Sequence, residues 1–532
     1  MWEAVFCLLP SVVLLLSALL LRLTPVQSCL GPWVRRAAWR LWLWACWCLR
    51  LPLPPEGGRG GGGTGPQLVC KPTALARFLL QHCGSLARPS LAAWPWGDPN
   101  VQTLLGLAGP VEDDGGVRFA REHLQVKDGG VVALDWAVGL KGEPQRGAKR
   151  EQGGAGGRVL GCHSSCPPVL ILIPNSWGRV TPHLLRLCAL ALQQGFYPVL
   201  FHRRGHAGCP LVTPRFQEFG DPSDLIQAVT YLRHRHPCSA LLAVSEGSGS
   251  GLLLSYLGEC GSSSYLTAAA CLSPVLRGQL WFDTPLPALY RWPLLLYRKL
   301  QLSRYSSALG AVMDVERLLR CSSLRDLEAA MFCRGRGAPR CEGAFPVAEW
   351  DAYWERNEPL RDADEVAVPV LCLRSWDDPL LPPPSTLPTS LFQDSPYFLL
   401  ALTARGGHCG FALEGEGAPD GATCWSHRVV LEYFRVVAEF LKAEERRVKG
   451  VAGVGAGTGG SPGPRRRINT MMPRRRRATL LRRERPALRT LADSAGHGGR
   501  GEGCGSGEQQ DVFTWHRETA ESGGAGNQKG KL

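Results

Sequence analysis

The residues with the most chemical meaning in this chain are Val244-Ser245-Glu246-Gly247-Ser248-Gly249-Ser250-Gly251. Their density of small side chains, between an apolar strand pattern and an apolar helix pattern, is that of a nucleophile elbow. In a G-x-S-x-G elbow the serine sits on a strained strand-to-helix turn, and small residues two before and two after it let neighbouring backbone approach. The chemistry of such a turn is acyl transfer: the serine oxygen attacks a carbonyl while a histidine takes its proton and an acid orients the histidine. Only one centring fits here. With Gly247 at the tip, Ser245, Gly249 and Ser250 flank it and all are small. Centring on Ser248 places the bulky carboxylate of Glu246 where close approach is needed. The turn is therefore expected with its nucleophile position on Gly247, which has no hydroxyl. A non-glycine residue at positive φ costs about 1–3 kcal/mol, and glycine adopts that conformation freely, so Gly247 relaxes the bend as it removes the chemistry. Ser248 is the alternative nucleophile if the turn shifts by one residue, with Ser245 and Ser250 behind it.

The elements that must position this turn follow from periodicity. Ser239–Val244 reads as a buried strand and Leu252–Leu257 as the helix leaving the turn. Upstream, His123–Ala137 reads as a hairpin around Asp128-Gly129-Gly130. Strands are expected at Val169–Ile173, Tyr197–Phe201, Ala268–Ser273, Val368–Leu373 and Tyr397–Leu402. Helices are expected at Pro182–Gly195, Ser223–Arg235 and Ser426–Lys442. This alternation predicts an α/β fold, a mostly parallel sheet with helices on both faces. The Leu-, Tyr- and Trp-rich stretch at about 274–363 is expected to be a helical cap over the carboxyl edge of the sheet, where ligands bind in such folds.

At 532 residues the chain has room for one α/β domain of about 300 residues and additional segments. We place that domain at 71–445, after a Pro/Gly-rich linker at 51–70 and before a Gly/Arg-rich tail at 446–532 without apolar periodicity; Gly142–Gly157 reads as a polar loop. Eleven arginines and one acid, Glu484, lie between Arg465 and Arg489, so this stretch supplies ten of the formal +14 charges. The rest is only mildly basic, and nucleic acid is not an expected partner. The arginine clusters suit anionic lipid, a contact that phosphorylation at Thr470 or Thr479 would weaken, or they form a solvated or nuclear-type basic tail. The twenty cysteines lack regular spacing and are expected to be mostly reduced. Cys162-His163 with Cys166, and Cys46 with Cys48, do not build a four-ligand set, so neither a metal nor another cofactor is expected.

Residues 1–50 read as a membrane anchor and interfacial segment. Val5–Leu21 carries no charge and as a helix would be about 26 Å long at roughly 1.5 Å per residue, near the short limit for a bilayer. Glu3 precedes it, and Arg22, Arg35, Arg36 and Arg40 follow, which favours a cytosolic carboxyl-terminal domain. Cleavage near Val26-Gln27-Ser28 and secretion is the alternative. Trp39–Arg50 has the aromatic and arginine content of a bilayer interface or, failing that, of a short core helix, and on the first reading Cys46 and Cys48 are lipidation candidates.

Several further motifs carry a likeness. Trp94-Pro95-Trp96-Gly97 with Gln102-Thr103, Asp128-Gly129-Gly130 with Leu134-Asp135-Trp136, His202-Arg203-Arg204-Gly205 with Pro210 to Pro214, and Gly406-Gly407-His408 with Gly410-Phe411 resemble the α/β-hydrolase superfamily, in particular its membrane-anchored lipid esterases, the AB hydrolase 4 family. The likeness covers about Trp94 to Leu441. It implies the α/β-hydrolase fold, Asp378 as the triad acid with Asp377 as fallback, and His408 as the triad base. It also implies an oxyanion region at Pro174, Asn175 and Ser248. The His-Gly that the family places after the first central strand is here Pro174-Asn175, and proline has no N–H to donate. The expected function is that of a catalytically impaired hydrolase-fold protein in lipid metabolism, at the endoplasmic reticulum membrane with its domain in the cytosol. It would bind a lipid or acyl ester ligand or a protein partner through its cap cleft. The alternative is a working serine esterase acting on carboxylesters, acylglycerols or phospholipids through Ser248.

Overall fold

In the computed structural model of the chain, the structure describes residues 32–52, 66–108 except 88 and 90, 116–140, 166–333 except 311, 349–414 and 424–454. The run Val5–Leu21, the cleavage motif at Val26–Ser28, the loop Gly142–Gly157, the Cys162-His163 pair, and Thr470, Thr479 and the arginine clusters lie outside them. Among the described residues nine strands form one sheet in the order β1-β9-β8-β7-β6-β4-β5-β3-β2. They are β1 Gln67–Val69, β2 Val117–Gln125, β3 Val131–Leu140, β4 Val169–Ile173, β5 Tyr197–His202, β6 Leu241–Glu246, β7 Leu266–Leu272, β8 Val370–Ser375 and β9 Phe398–Thr403. Strands β4 to β9 run parallel, and β1, β2 and β3 pair antiparallel at the two ends. This is the order of an α/β-hydrolase fold.

Every residue of β4, β6, β8 and β9 is buried. Strands covered on both faces read as continuous apolar runs rather than alternating ones, which is why Val169–Ile173 was legible. Side chains still alternate between faces. Leu170, Leu172, Leu242 and Val244 pack with Leu184 and Leu187 of α4 (Pro182–Gln193) and with Val429, Val430 and Phe434 of the closing helix, α10 (Trp425–Val454). Ile171, Ile173 and Ala243 pack on the other face with Leu225 and Val229 of α5 (Ser223–Arg235) and Leu252 and Leu253 of α6 (Ser250–Cys260).

The cap contains α7 (Ala288–Arg304), α8 (Leu324–Phe332) and α9 (Trp350–Asn357). Its Trp281, Leu295, Phe332, Tyr353 and Trp354 form one cluster with Trp177, Phe216 and Phe219 from the loops at the carboxyl ends of the strands. The cap is thereby pinned over the sheet edge.

Three segments depart from the sequence-based expectations. Gln67–Val69, assigned to the linker, forms an edge strand on β9, because three residues carry too little periodicity to register. Helix α10 runs past Glu445 to Val454. The aromatic segment forms α1 (Pro32–Cys48), which lies against the domain. Trp39 packs edge-on to Trp94, and the Trp42 indole donates to Asp98 at 2.7 Å. Cys46 is fully buried with Leu51, Tyr290 and Leu380, so of the two lipidation candidates only Cys48 is exposed. The outer face of α1 exposes Leu41, Trp44 and Trp47. Two further helices, α2 (Ala74–His82) and α3 (Pro99–Ala108), complete the amino-terminal part. Among the described residues no helix is long and apolar enough to cross a membrane.

Candidate functional site

Strand β6 ends at Glu246, the chain turns through a single tight turn at Gly247–Gly249, and α6 begins at Ser250. Gly247 stands at φ +52°, the left-handed conformation that an elbow demands of its tip. Two residues on, a Cβ at Gly249 would lie 2.3 Å from the carbonyl oxygen of Pro174. Only glycine lets the turn close against the end of β4. Both observations centre the bend on Gly247, where no side-chain oxygen exists.

The acid and the base arrive from neighbouring strand ends. Asp378 follows β8 and His408 follows β9, and His408 Nδ1 lies 2.9 Å from Asp378 Oδ2 and 3.1 Å from Oδ1. Asp378 is held in turn by the Leu380 N–H at 2.9 Å. The fallback acid Asp377 does something else: it accepts the Gly407 N–H at 2.9 Å, fixing the loop that carries the histidine. The His408 N–H donates to Thr103 Oγ1 at 3.0 Å, and Thr103 donates to the Pro99 carbonyl at 2.6 Å. Ser375 donates to the Gly407 carbonyl, and Ser273 accepts the Cys409 N–H. The opposite edge of the imidazole points at the elbow: a Cβ built on Gly247 would sit 2.8 Å from His408 Nε2. The ring therefore reaches into the space a nucleophile's side chain would fill.

The electrostatics of the pair follow from the same contacts. Burial pulls His408 down, but the Asp378 charge beside it outweighs this and holds the imidazole well above its ordinary value. Burial raises Asp377 to about 6 against the pull of its Gly407 hydrogen bond.

The alternative serines are aimed elsewhere. Ser248 Oγ accepts the Ser176 N–H at 3.0 Å and the Ser176 hydroxyl at 2.9 Å. Ser250 Oγ accepts the Val275 N–H at 2.9 Å, and Ser245 Oγ is fully buried among strand residues without a hydrogen-bond partner. Asn175 Oδ1 accepts the Arg179 N–H within its own loop. Pro174, Asn175 and Ser248 lie beside the elbow, and the Ser176 N–H facing it is already engaged. Ser176 was missed in the sequence because a lone serine after Asn175 gives no signal of its own. Within the cap, a cavity of about 30 Å³ is lined by Trp281, Phe282, Leu286 and Leu324 among others. None of Gly247, Asp378 and His408 lines it, and it has room for a water or two at most.

The chain is 50% identical over 425 residues to "Protein ABHD15" of Homo sapiens, covering 79% of this chain and 81% of that protein. It is 27% identical over 362 residues to "Phospholipase ABHD3" of Mus musculus, covering 66% of this chain and 79% of that protein. Over 395 residues it is 24% identical to "Monoacylglycerol lipase ABHD2" of Danio rerio, covering 70% and 86%. No protein-family model matches the chain. Among solved structures, a Pyrococcus furiosus esterase overlaps 62% of this chain and 92% of its own at 14% identity, with a TM-score of 0.36.

Proposed function

The chain belongs to the ABHD family of α/β-hydrolase proteins, and from that premise we propose that it has kept the fold and the acid–base pair while losing the covalent route of acyl transfer. It acts in lipid metabolism by binding an acyl ester or a protein partner. The observation that carries this reading is the position of His408 Nε2, 2.8 Å from where a Gly247 side chain would begin. Without a nucleophile no acyl-enzyme forms, and loss of one oxyanion donor alone removes about 2.7–4 kcal/mol of transition-state stabilisation. Relatives named as a phospholipase and a monoacylglycerol lipase support a lipid or acyl ester as the ligand class. The cap cavity of about 30 Å³ is far below the several hundred Å³ that a ligand of such size fills, and none of Gly247, Asp378 and His408 lines it.

Attachment to the endoplasmic reticulum membrane with the domain in the cytosol is part of the same proposal. It is supported by the uncharged run Val5–Leu21, by the arginines that follow it, and by Leu41, Trp44 and Trp47 on the outer face of α1.

An activity-based fluorophosphonate probe tests the central point, because it labels only an activated serine. The expected outcome is no labelling of the wild-type chain. Labelling that disappears in both Ser248→Ala and His408→Ala would overturn the proposal in favour of an esterase using Ser248. Gly247→Ser is expected to give slow ester hydrolysis. Adding Ser248→Ala, which releases the Ser176 N–H, is expected to raise that rate by about a hundredfold to a thousandfold, the range of an oxyanion donor.

A further inference from the structure

Away from the acid–base pair, the first turns of α4 and α10 meet beside the end of β6. His183 comes from α4, Cys424 immediately precedes α10, and His427 lies in its first turn. One ring nitrogen of each histidine and the Cys424 sulfur all lie within 4.8 Å of one another. The two imidazole rings are 4.1 Å apart between centroids. His427 is 0% exposed, and neither of its nitrogens makes a well-formed hydrogen bond, although the ring lies against the His183 backbone. Leaving a buried polar atom unpaired costs about 1–3 kcal/mol, and this side chain leaves two.

His183 is oriented from outside the cluster. Its Nδ1 lies 3.5 Å from Glu246 Oε1, and Glu246 is itself held by the Thr181 hydroxyl at 2.7 and 2.8 Å. A carboxylate behind one imidazole nitrogen is how a metal-binding histidine is commonly fixed in tautomer and direction. That leaves Nε2, now 3.2 Å from the Ser426 hydroxyl, as the nitrogen free to turn to an ion. Two imidazoles and a thiolate form a borderline-soft donor set, suited to zinc and excluding calcium or magnesium. Bonds of about 2.0–2.3 Å at tetrahedral angles place donor atoms roughly 3.4–3.6 Å apart, so side-chain movements of about 1 Å complete the shell.

We propose that His183, Cys424 and His427 bind a zinc-class divalent cation, with Glu246 as the orienting carboxylate and water in the fourth position. On binding, the Cys424 thiol gives up its proton to solvent. The ion clamps the amino ends of α4 and α10 to the strand end that bears the elbow, since Glu246 directly precedes Gly247. His183 lies far from Cys424 and His427 in sequence, which is why ligand spacing gave no sign of the site.

The test uses the full chain, purified in mild detergent without chelator, with bound metal measured by inductively coupled plasma mass spectrometry. About one zinc per wild-type chain is expected, falling at least about tenfold in Cys424→Ser and in His427→Ala and unchanged in Cys238→Ser, an exposed cysteine elsewhere. Glu246→Gln is expected to weaken zinc affinity by about 10–100-fold. Cobalt loaded into the wild type should show a thiolate-to-metal absorption that is missing in Cys424→Ser, a readout that does not depend on how well His427→Ala folds. A wild-type chain that carries no metal and whose melting temperature ignores added zinc would overturn the proposal and leave a buried water as the partner of His427. Equal metal content in wild type and variants would overturn it as well.

Discussion

The ends of β8 and β9 and the ends of β4 and β6 face the same point in space, yet they have been treated differently. On the β8–β9 side, Asp378, His408, Thr103, Asp377, Ser273 and Ser375 form the connected set of hydrogen bonds a catalytic acid and base would require. On the β4–β6 side, the bend keeps its backbone path while its tip is Gly247 and its neighbouring N–H is closed off by Ser248. The acid–base arm is structure as well as chemistry. A buried ion pair cannot be dismantled one partner at a time without stranding a charge, whereas trimming a hydroxyl from a strained turn relieves the chain.

That contrast can be broken. The largest effect is expected for Asp378→Ala, which leaves the His408 imidazolium without its counter-charge. It should lose about 3–5 kcal/mol in urea unfolding, and a loss below about 1 kcal/mol would show the pair to be dispensable. On the other arm, Gly249→Ala forces a methyl to within 2.3 Å of the Pro174 carbonyl. Since backbone must shift, a loss of about 1–3 kcal/mol is expected, read as a fall in urea midpoint at constant slope.

The contrast is sharpened by pH. Asp377 ionises near 6 in the folded chain, against roughly 3.9 in an unfolded one. Between those values the folded state binds more protons, so stability falls as pH rises and the full cost is present above 6. Asp377→Asn keeps an acceptor for the Gly407 N–H without the charge. It should match the wild type near pH 4 and exceed it at pH 7.5 by at most about 3 kcal/mol; equal stability at both pH values would count against a buried carboxylate. His408 has the opposite sign: its raised folded value gives stability fully present below about 6.5, and lost only as pH rises through that raised value.

Much of this was legible before any coordinates. The parallel strands were readable because burial on both faces makes them apolar throughout, as in Val169–Ile173, and Ser223–Arg235 forms a helix over the residues its periodicity indicated. Gly247 could be singled out because only small flanks tolerate the close approach seen between Gly249 and Pro174. What was hidden depends on long-range contact. Nothing local announces that Gln67–Val69 pairs with β9, or that Cys46 turns inward onto Tyr290. Nor does spacing reveal that His183 meets His427 from the far end of the domain, or that Ser248 spends its hydroxyl on Ser176.

The approach of His408 to Gly247 also decides which substitutions the bend can accept. An imidazole this close to the turn leaves little room for any side chain at its tip. A serine placed at Gly247 would have its added carbon only 2.8 Å from a ring nitrogen. Acyl transfer from a serine at this position would need the ring to retreat, the Ser176 amide to be freed and a donor to replace Pro174.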